Sequence, residues 1–400
     1  MFSSHPHEIK KDISSNIWKI ILIKFLSSFG IFMPIVVLFY QDNGLTMTQI
    51  LLLQAIFSLS IFLFELPSGY FSDVLGRKRT IILAQFFDFI GFLIYSLSHG
   101  FWGFLCGELI LGVGASFLSG TDSAMLYDTL IVIKKEDEYK KLEGRIQGFN
   151  YLALTIGSVF GGFLGAIQLR LPFFIQTFLS FISFLIAFTL IEPPIEKFKI
   201  ENPLNDIFKI LKYVMKNAEI KWLLVYAAII SSGVILLKWF IQPYFKLVGL
   251  RIEFFGIILA LFNLFTVFVS LNAHSIESKI GKRNLLIGFP FLMFFAYLIM
   301  GLFPSLITIM LALIFYFIKG VGNPVMKAYI NELVPSKIRA TVLSIRNLLF
   351  RVIFSITSPF LGWIADVYSL TTALIFSGIL FFIMSLIVLL LMFKHTKHLT

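Results

Sequence analysis

Residues Gly69 to Arg79 read GYFSDVLGRKR. This is a short polar turn, ending in three consecutive cations, between two long apolar runs at about 48–72 and 80–98. Each run is close to the roughly 20 residues a helix needs to cross the hydrocarbon core of a bilayer. Two such runs joined by so short a turn form a helical hairpin in a membrane, with its cations on the cytoplasmic side. Within the turn, Gly69 permits close helix approach. Asp73 can cap or pair at a helix end, Gly76 suits a tight turn, and Arg77 can bridge to a carboxylate on a neighbouring helix. A related turn, SKIGKRN (Ser278 to Asn284), recurs at an offset of 205.

Outward from the hairpin the chain keeps this character. Of its 400 residues, 58% are hydrophobic and 14% charged, against roughly 45–50% and 25% in soluble proteins. The mean hydropathy is +0.91. A soluble chain this apolar could not cover its surface, which argues against a soluble enzyme and against disorder. Windows of spanning length fall at about 17–40, 48–72, 80–98, 101–131, 144–168, 173–192, 219–243, 251–274, 285–302, 305–331, 337–367 and 370–393. The chain therefore reads as an all-α integral membrane protein with twelve transmembrane helices.

Basic residues orient it. With the N-terminus in the cytoplasm, the cytoplasmic segments hold 24 Lys and Arg, and the outer segments hold Arg170, Lys246 and Arg251 alone. That asymmetry follows the positive-inside rule and puts both termini in the cytoplasm. The formal charge of +11 then belongs to the membrane surface, and no nucleic-acid partner is expected. The single cysteine, Cys106, cannot form an intramolecular disulfide or a cysteine metal site. No cleavable signal peptide is expected, because the polar start MFSSHPHEIKKDISSN runs directly into an apolar segment.

The longest polar interval, 193–218, carries Pro193, Pro194 and Pro203. Within it Ile207, Phe208, Ile210, Leu211, Val214 and Met215 recur at helical spacing opposite Lys209, Lys212 and Lys216. This predicts an amphipathic helix on the inner membrane surface. It divides the chain into six-helix bundles at 1–192 and 219–400. The halves resemble each other in their turns, and GSVFGGFLG (Gly157 to Gly165) corresponds to FSITSPFLG (Phe354 to Gly362). Such duplication suggests a transporter with its substrate site near the midplane.

The turn at Gly69 to Arg79 resembles the signature loop of the major facilitator superfamily, G-x-x-x-D-x-x-G-R-K/R-R. Gly69, Asp73, Gly76, Arg77, Lys78 and Arg79 fill every motif position. The resemblance implies two pseudo-symmetric six-helix bundles and a conformational latch holding the outward-facing state. Arg77 would pair with an acid at the inner end of span 4, where Asp128 stands. Three departures matter. Ser278 replaces the second-half aspartate, with Glu277 adjacent. Glu108 stands before Gly112 where the family often has arginine, so a proton mechanism built on that arginine is not carried over. The drug-antiporter pattern of span 5 is partial: Gly157, Gly161 and Gly165 fit, while Gly162 and Ala166 depart from it. Small-residue helix packing explains those glycines equally well.

Ionisable groups inside the membrane are costly and mark function. Glu65, Asp88, Glu108 and Asp122 are the proton-coupling candidates, with Asp122 and Glu65 ranked first. A pair with Lys24, at similar depth, is the structural alternative for Glu65, and snorkelling is the alternative for Lys24 and Lys327. The second half offers Lys238, Lys319, Arg346 and Arg351 as substrate-binding candidates, led by Lys319 and Arg351 at midplane depth, with Tyr127 from the first half. Gly320, Gly322 and Pro324 make span 10 a candidate bending gate.

No H-E-x-x-H, G-x-S-x-G or G-x-x-x-x-G-K-[ST] motif is present. No enzymatic activity, cofactor or metal is expected, and ATP does not drive transport in this chain. The expected function is secondary active transport by alternating access: proton-coupled efflux of a small anionic or zwitterionic metabolite or drug. The alternatives are a proton-coupled importer of an organic anion or carboxylate siderophore, and a non-transporting membrane sensor. The partners would be a small-molecule substrate, protons and the lipid bilayer, the protein a monomer, and its place a bacterial inner membrane.

Overall fold

The computed structural model describes residues 13–194 and 203–395. Their regular structure is helical throughout. Before the linker the main elements are α1 (Asn16–Ser27), α2 (Val36–Asp42), α3 (Met47–Leu75), α4 (Arg77–Leu97), α5 (Gly100–Leu118), α6 (Thr121–Ile133), α7 (Tyr139–Ile167) and α8 (Leu171–Phe188). After the linker come α9 (Pro203–Lys216), α10 (Ala218–Leu247), α11 (Ile252–Leu271), α12 (Ala273–Ile280), α13 (Lys282–Leu302), α14 (Ala312–Leu333), α15 (Arg339–Val367) and α16 (Leu370–His395). Eleven helical stretches among the described residues are long and apolar enough to span a membrane.

The twelfth expected span, 17–40, is helical but interrupted. That span is not one helix but two, of 12 and 7 residues. Gly30 adopts φ +53°, and Pro34 lacks an N–H to continue the ladder. Unwound backbone at membrane depth is tolerated where protein buries it, and Ile31 and Ile35 are buried here. The seat is built by α7. A Cβ on Gly157 or Gly161 would overlap the carbonyl oxygens of Phe29 and Ile31, and one on Gly165 would strike Ile35. The three glycines of the partial antiporter pattern therefore have a packing role: they admit a broken helix.

A second break, at Ser119–Gly120, divides span 4 into α5 and α6, with Gly120 at φ +76°. Pro290 inside α13 shows how such defects are satisfied. It cannot donate to the carbonyl of Leu286, and the buried Tyr226 hydroxyl donates to that oxygen at 2.5 Å instead.

The chain forms two compact units. One comprises Met1–Gly44, Ile56–Lys199 and Ile252–Ala260, the other Leu45–Ala55, Ile200–Arg251 and Leu261–Thr400. Two helix ends are thus exchanged relative to a division at the linker, and local contacts explain both. In the second unit the Asp366 carboxylate accepts the backbone N–H groups of Met47 (2.8 Å) and Thr48 (2.7 Å), capping α3. In the first, Gly256 lies so close to Ser158 that a Cβ would overlap its carbonyl. Helix α9 falls within the predicted amphipathic segment, and its Val214 is buried while Met215 is exposed. The flanking residues 195–202 lie outside the described residues, as do 1–12 and 396–400.

Candidate functional site

The signature turn sits at the α3–α4 junction. Helix α3 ends at Leu75, Gly76 turns the chain at φ +102°, and α4 begins at Arg77. The Arg77 guanidinium donates to Ser72 Oγ (2.7 Å), to Asp73 Oδ1 (2.9 Å) and, through Nε, to Asp128 Oδ2 (3.4 Å). One cation thus ties the end of α3 to α6. Lys78 is half-buried and Arg79 exposed. No atom approaches within 4 Å of the Cβ position at Gly69, so the close helix approach expected there is not realised in this structure.

A residue the sequence reading missed completes the turn. Glu192, just past α8, accepts the backbone N–H groups of Arg77 (2.8 Å) and Lys78 (2.7 Å). These are orphan donors at the positive end of a helix dipole, where a carboxylate is stabilising. Glu192 also fills the space beside Gly76, where a Cβ would come within 2.7 Å of Oε1. Position 76 therefore needs glycine twice, for its dihedral and for its room.

The second turn repeats this plan with altered residues. Gly281 has the conformation of Gly76, φ +85°. Lys282, at the Arg77 position by the 205 offset, pairs with Glu332 at 3.1 Å and lies 3.9 Å from the Tyr329 ring. The Tyr329 hydroxyl donates to Glu277 at 2.8 Å. Each acid stands one residue before the position corresponding to Asp73 or Asp128. Glu277 thus meets a tyrosine, and Glu332 takes the cation.

Arg77→Ala removes three hydrogen bonds from a partly exposed cation. At about 1–2 kcal/mol after allowance for solvent, it is expected to change the turnover rate about 10-fold while leaving solute affinity unchanged. Counterflow kinetics beside equilibrium binding separate the two, and a parallel loss of affinity would remove the latch role.

The deep acids of the first unit have separate environments. Asp122 is paired with Lys24. Asp122 lies in the first turn of α6 and Lys24 in the last turn of α1, so each charge faces the favourable end of its own helix dipole. The two helix breaks create those ends. This corrects two expectations: Lys24 pairs with Asp122 rather than Glu65, and it does not snorkel. Glu65 is half-buried on α3. Asp88 accepts from Ser180 Oγ at 2.6 Å. Glu108 is buried and accepts from Tyr40 (2.9 Å), whose hydroxyl is 2.5 Å from that of Tyr95. Tyr127 is 44% exposed and packs edge-on against Tyr139. No group of three His, Cys, Asp or Glu among the described residues could hold a metal.

In the second unit an open cavity of about 230 Å3 lies among α10, α13, α14 and α15. Lys319 on α14 and Arg346 on α15 line it, with Asn323, Asn347 and Ser231. Arg346 donates to Asn347 Oδ1 at 3.3 Å, and Lys319 lies 6.0 Å from the Tyr316 ring. Neither cation forms an ion pair among the described residues. Arg351 and Lys238 are not on this wall, and Lys238 lies over Trp239 at 5.3 Å. The structure thus gathers Lys319 and Arg346 from the candidate set. Tyr127 belongs to the other unit.

The profile of the Major Facilitator Superfamily matches residues 20–323 and 248–399. An MFS-type transporter of Methanocaldococcus jannaschii is 22% identical over 392 residues, covering 94% of this chain and 97% of that protein. The quinolone resistance protein NorA of Staphylococcus aureus is 25% identical over 165 residues, covering 41% of this chain and 42% of NorA. Among solved structures, the nucleoside transporter NupG superposes with TM-score 0.79 at 12% identity, over 95% of this chain and 100% of that one. A bacterial homologue of the human lysosomal transporter Spinster gives TM-score 0.71 at 18% identity, over 96% and 97%.

Proposed function

This chain belongs to the Major Facilitator Superfamily, and on that premise we propose that it exports a small organic anion or zwitterion in exchange for protons, by alternating access. It is a multi-pass membrane transporter, not an enzyme. The observation carrying the substrate class is the pair Lys319 and Arg346, two cations without a carboxylate partner on one cavity wall. Uncompensated charge at membrane depth is expensive, and an anionic solute compensates it. Efflux is supported by the similarity to NorA, named for quinolone resistance. Proton coupling is supported by the deep pair Lys24–Asp122: a proton on Asp122 dissolves the pair and frees both helix ends to move. An inner-membrane location with cytoplasmic termini follows from the basic asymmetry of the loops. The two bundles at 1–192 and 219–400 are taken as the moving parts and the monomer as the working form.

The test uses purified protein in liposomes under an imposed pH gradient. Organic-anion flux is expected to run opposite to the proton gradient and to stop when an ionophore collapses it. Flux running with the protons would replace efflux by import, and flux indifferent to the gradient would remove proton coupling.

A further inference from the structure

We infer that the cavity of the second unit selects organic anions that carry no ammonium group. This rests on the reading above that the cavity is the substrate site, and it narrows the class from anion or zwitterion to anion alone.

The donor and acceptor inventory carries the argument. Lys319 and Arg346 supply only donors. Asn323, Asn347 and Ser231 add N–H and O–H groups to the same wall. Arg346 already occupies Asn347 Oδ1. Asn323 Oδ1 and Ser231 Oγ are unengaged, neither residue having a side-chain partner among the described residues, and Asn347 Oδ1 keeps one lone pair. No carboxylate lines the cavity. The second unit's Glu332 and Glu277 are engaged at the inner turn, and its Asp366 caps α3.

A carboxylate entering this cavity therefore meets surplus donors and two positive charges. An ammonium meets two like charges and no anion, and leaving water for such a place is costly. A zwitterion gains the first interaction and suffers the second. The remaining wall, including Ile230, Val234, Ile318, Met326 and Phe350, is apolar. It suits a body that is hydrocarbon or ring, with isolated carbonyl or hydroxyl groups for Asn323 and Ser231.

Matched trios of solutes test this on the full chain in nanodiscs. One trio is phenyllactate, phenylalanine and phenethylamine. Another is 2-hydroxyisocaproate, leucine and isoamylamine. Each holds the skeleton fixed while changing the charged groups, and calorimetry with thermal shift reads binding. The hydroxy acids are expected to bind at least about 10-fold more tightly than the amino acids, the amines not at all, and Lys319→Gln to weaken the acids. Amino acids that match their hydroxy acids, still sensitive to Lys319→Gln, overturn the exclusion of ammonium and leave the site reading standing. Binding indifferent to both Lys319→Gln and Arg346→Gln overturns the site reading. Binding by amines alone, or by no member of either trio, overturns both.

Discussion

The double variant Lys319→Gln/Arg346→Gln is expected to lose solute affinity by about 100-fold or more while its thermal stability holds or rises. The two directions share one cause. Each cation faces the cavity without a carboxylate partner, so the empty protein bears the cost of an uncompensated charge. A bound anion offsets that cost through charge-assisted hydrogen bonds, each worth about 1.5–3 kcal/mol. Removing one cation should cost about 10-fold or more in affinity. The pair shares one ligand, so their effects need not add. Glutamine keeps hydrogen-bonding capacity and removes the charge, which should leave melting temperature level or higher. Solute titration and unfolding of the same preparations measure both. Arg351→Gln and Lys238→Gln are the controls, because neither residue lines the cavity, and their affinity should stay within about twofold. A double variant that loses stability together with affinity would show that the cations hold the fold.

The contrast between Arg346 and Arg351 shows what was legible in the sequence. Depth can be counted along a span, and it favoured Arg351. The rotation of a helix about its own axis cannot be counted. Five residues on an α-helix turn through about 140°, so the two arginines face different ways, and α15 presents Arg346 to the cavity. The same blindness governed Lys24. Glu65 and Asp122 lie at similar depth, and only the packed structure shows which one meets it. The turn at Gly69 to Arg79 was readable because its contacts are local: Arg77 reaches Asp73 four residues away, across the turn at Gly76. Its third element, Glu192, was hidden because it binds backbone amides, which leave no signature in side-chain identity. The break in span 1 was masked by hydropathy. Residues 28–35 are mostly apolar, and the local signals are Gly30 and Pro34. Hydropathy measures whether a segment tolerates lipid, and it is silent on whether the helix is continuous.

The break leads to the second large expected effect, at the pair it orients. Asp122 is 7% exposed and Lys24 18% at their side chains, so solvent screens the pair little. Breaking such a pair from one side leaves a buried charge alone, at a cost of about 3–5 kcal/mol. Asp122→Leu and Lys24→Met are each expected to destabilise the first unit by that amount. The double variant Lys24→Met/Asp122→Leu should regain most of it, because apolar groups of similar size often replace a buried ion pair without loss. Around that site Ile20, Ile23, Met125 and Leu126 already form a buried apolar cluster able to receive them. Stability and function then separate. If Asp122 carries the coupling proton, the double variant folds and binds solute, yet its flux no longer responds to a pH gradient. A double variant that stays stable and still couples flux to protons would assign Lys24–Asp122 to architecture. The coupling role would then pass to Glu65, half-buried on α3, to Asp88, which rests against the Ser180 hydroxyl, or to Glu108, bound to the Tyr40 hydroxyl. Failure of the double variant to recover stability would instead mean that the helix ends at Ser28 and Gly120 require the charges themselves. The dipoles of α1 and α6 would then be what the pair holds in register.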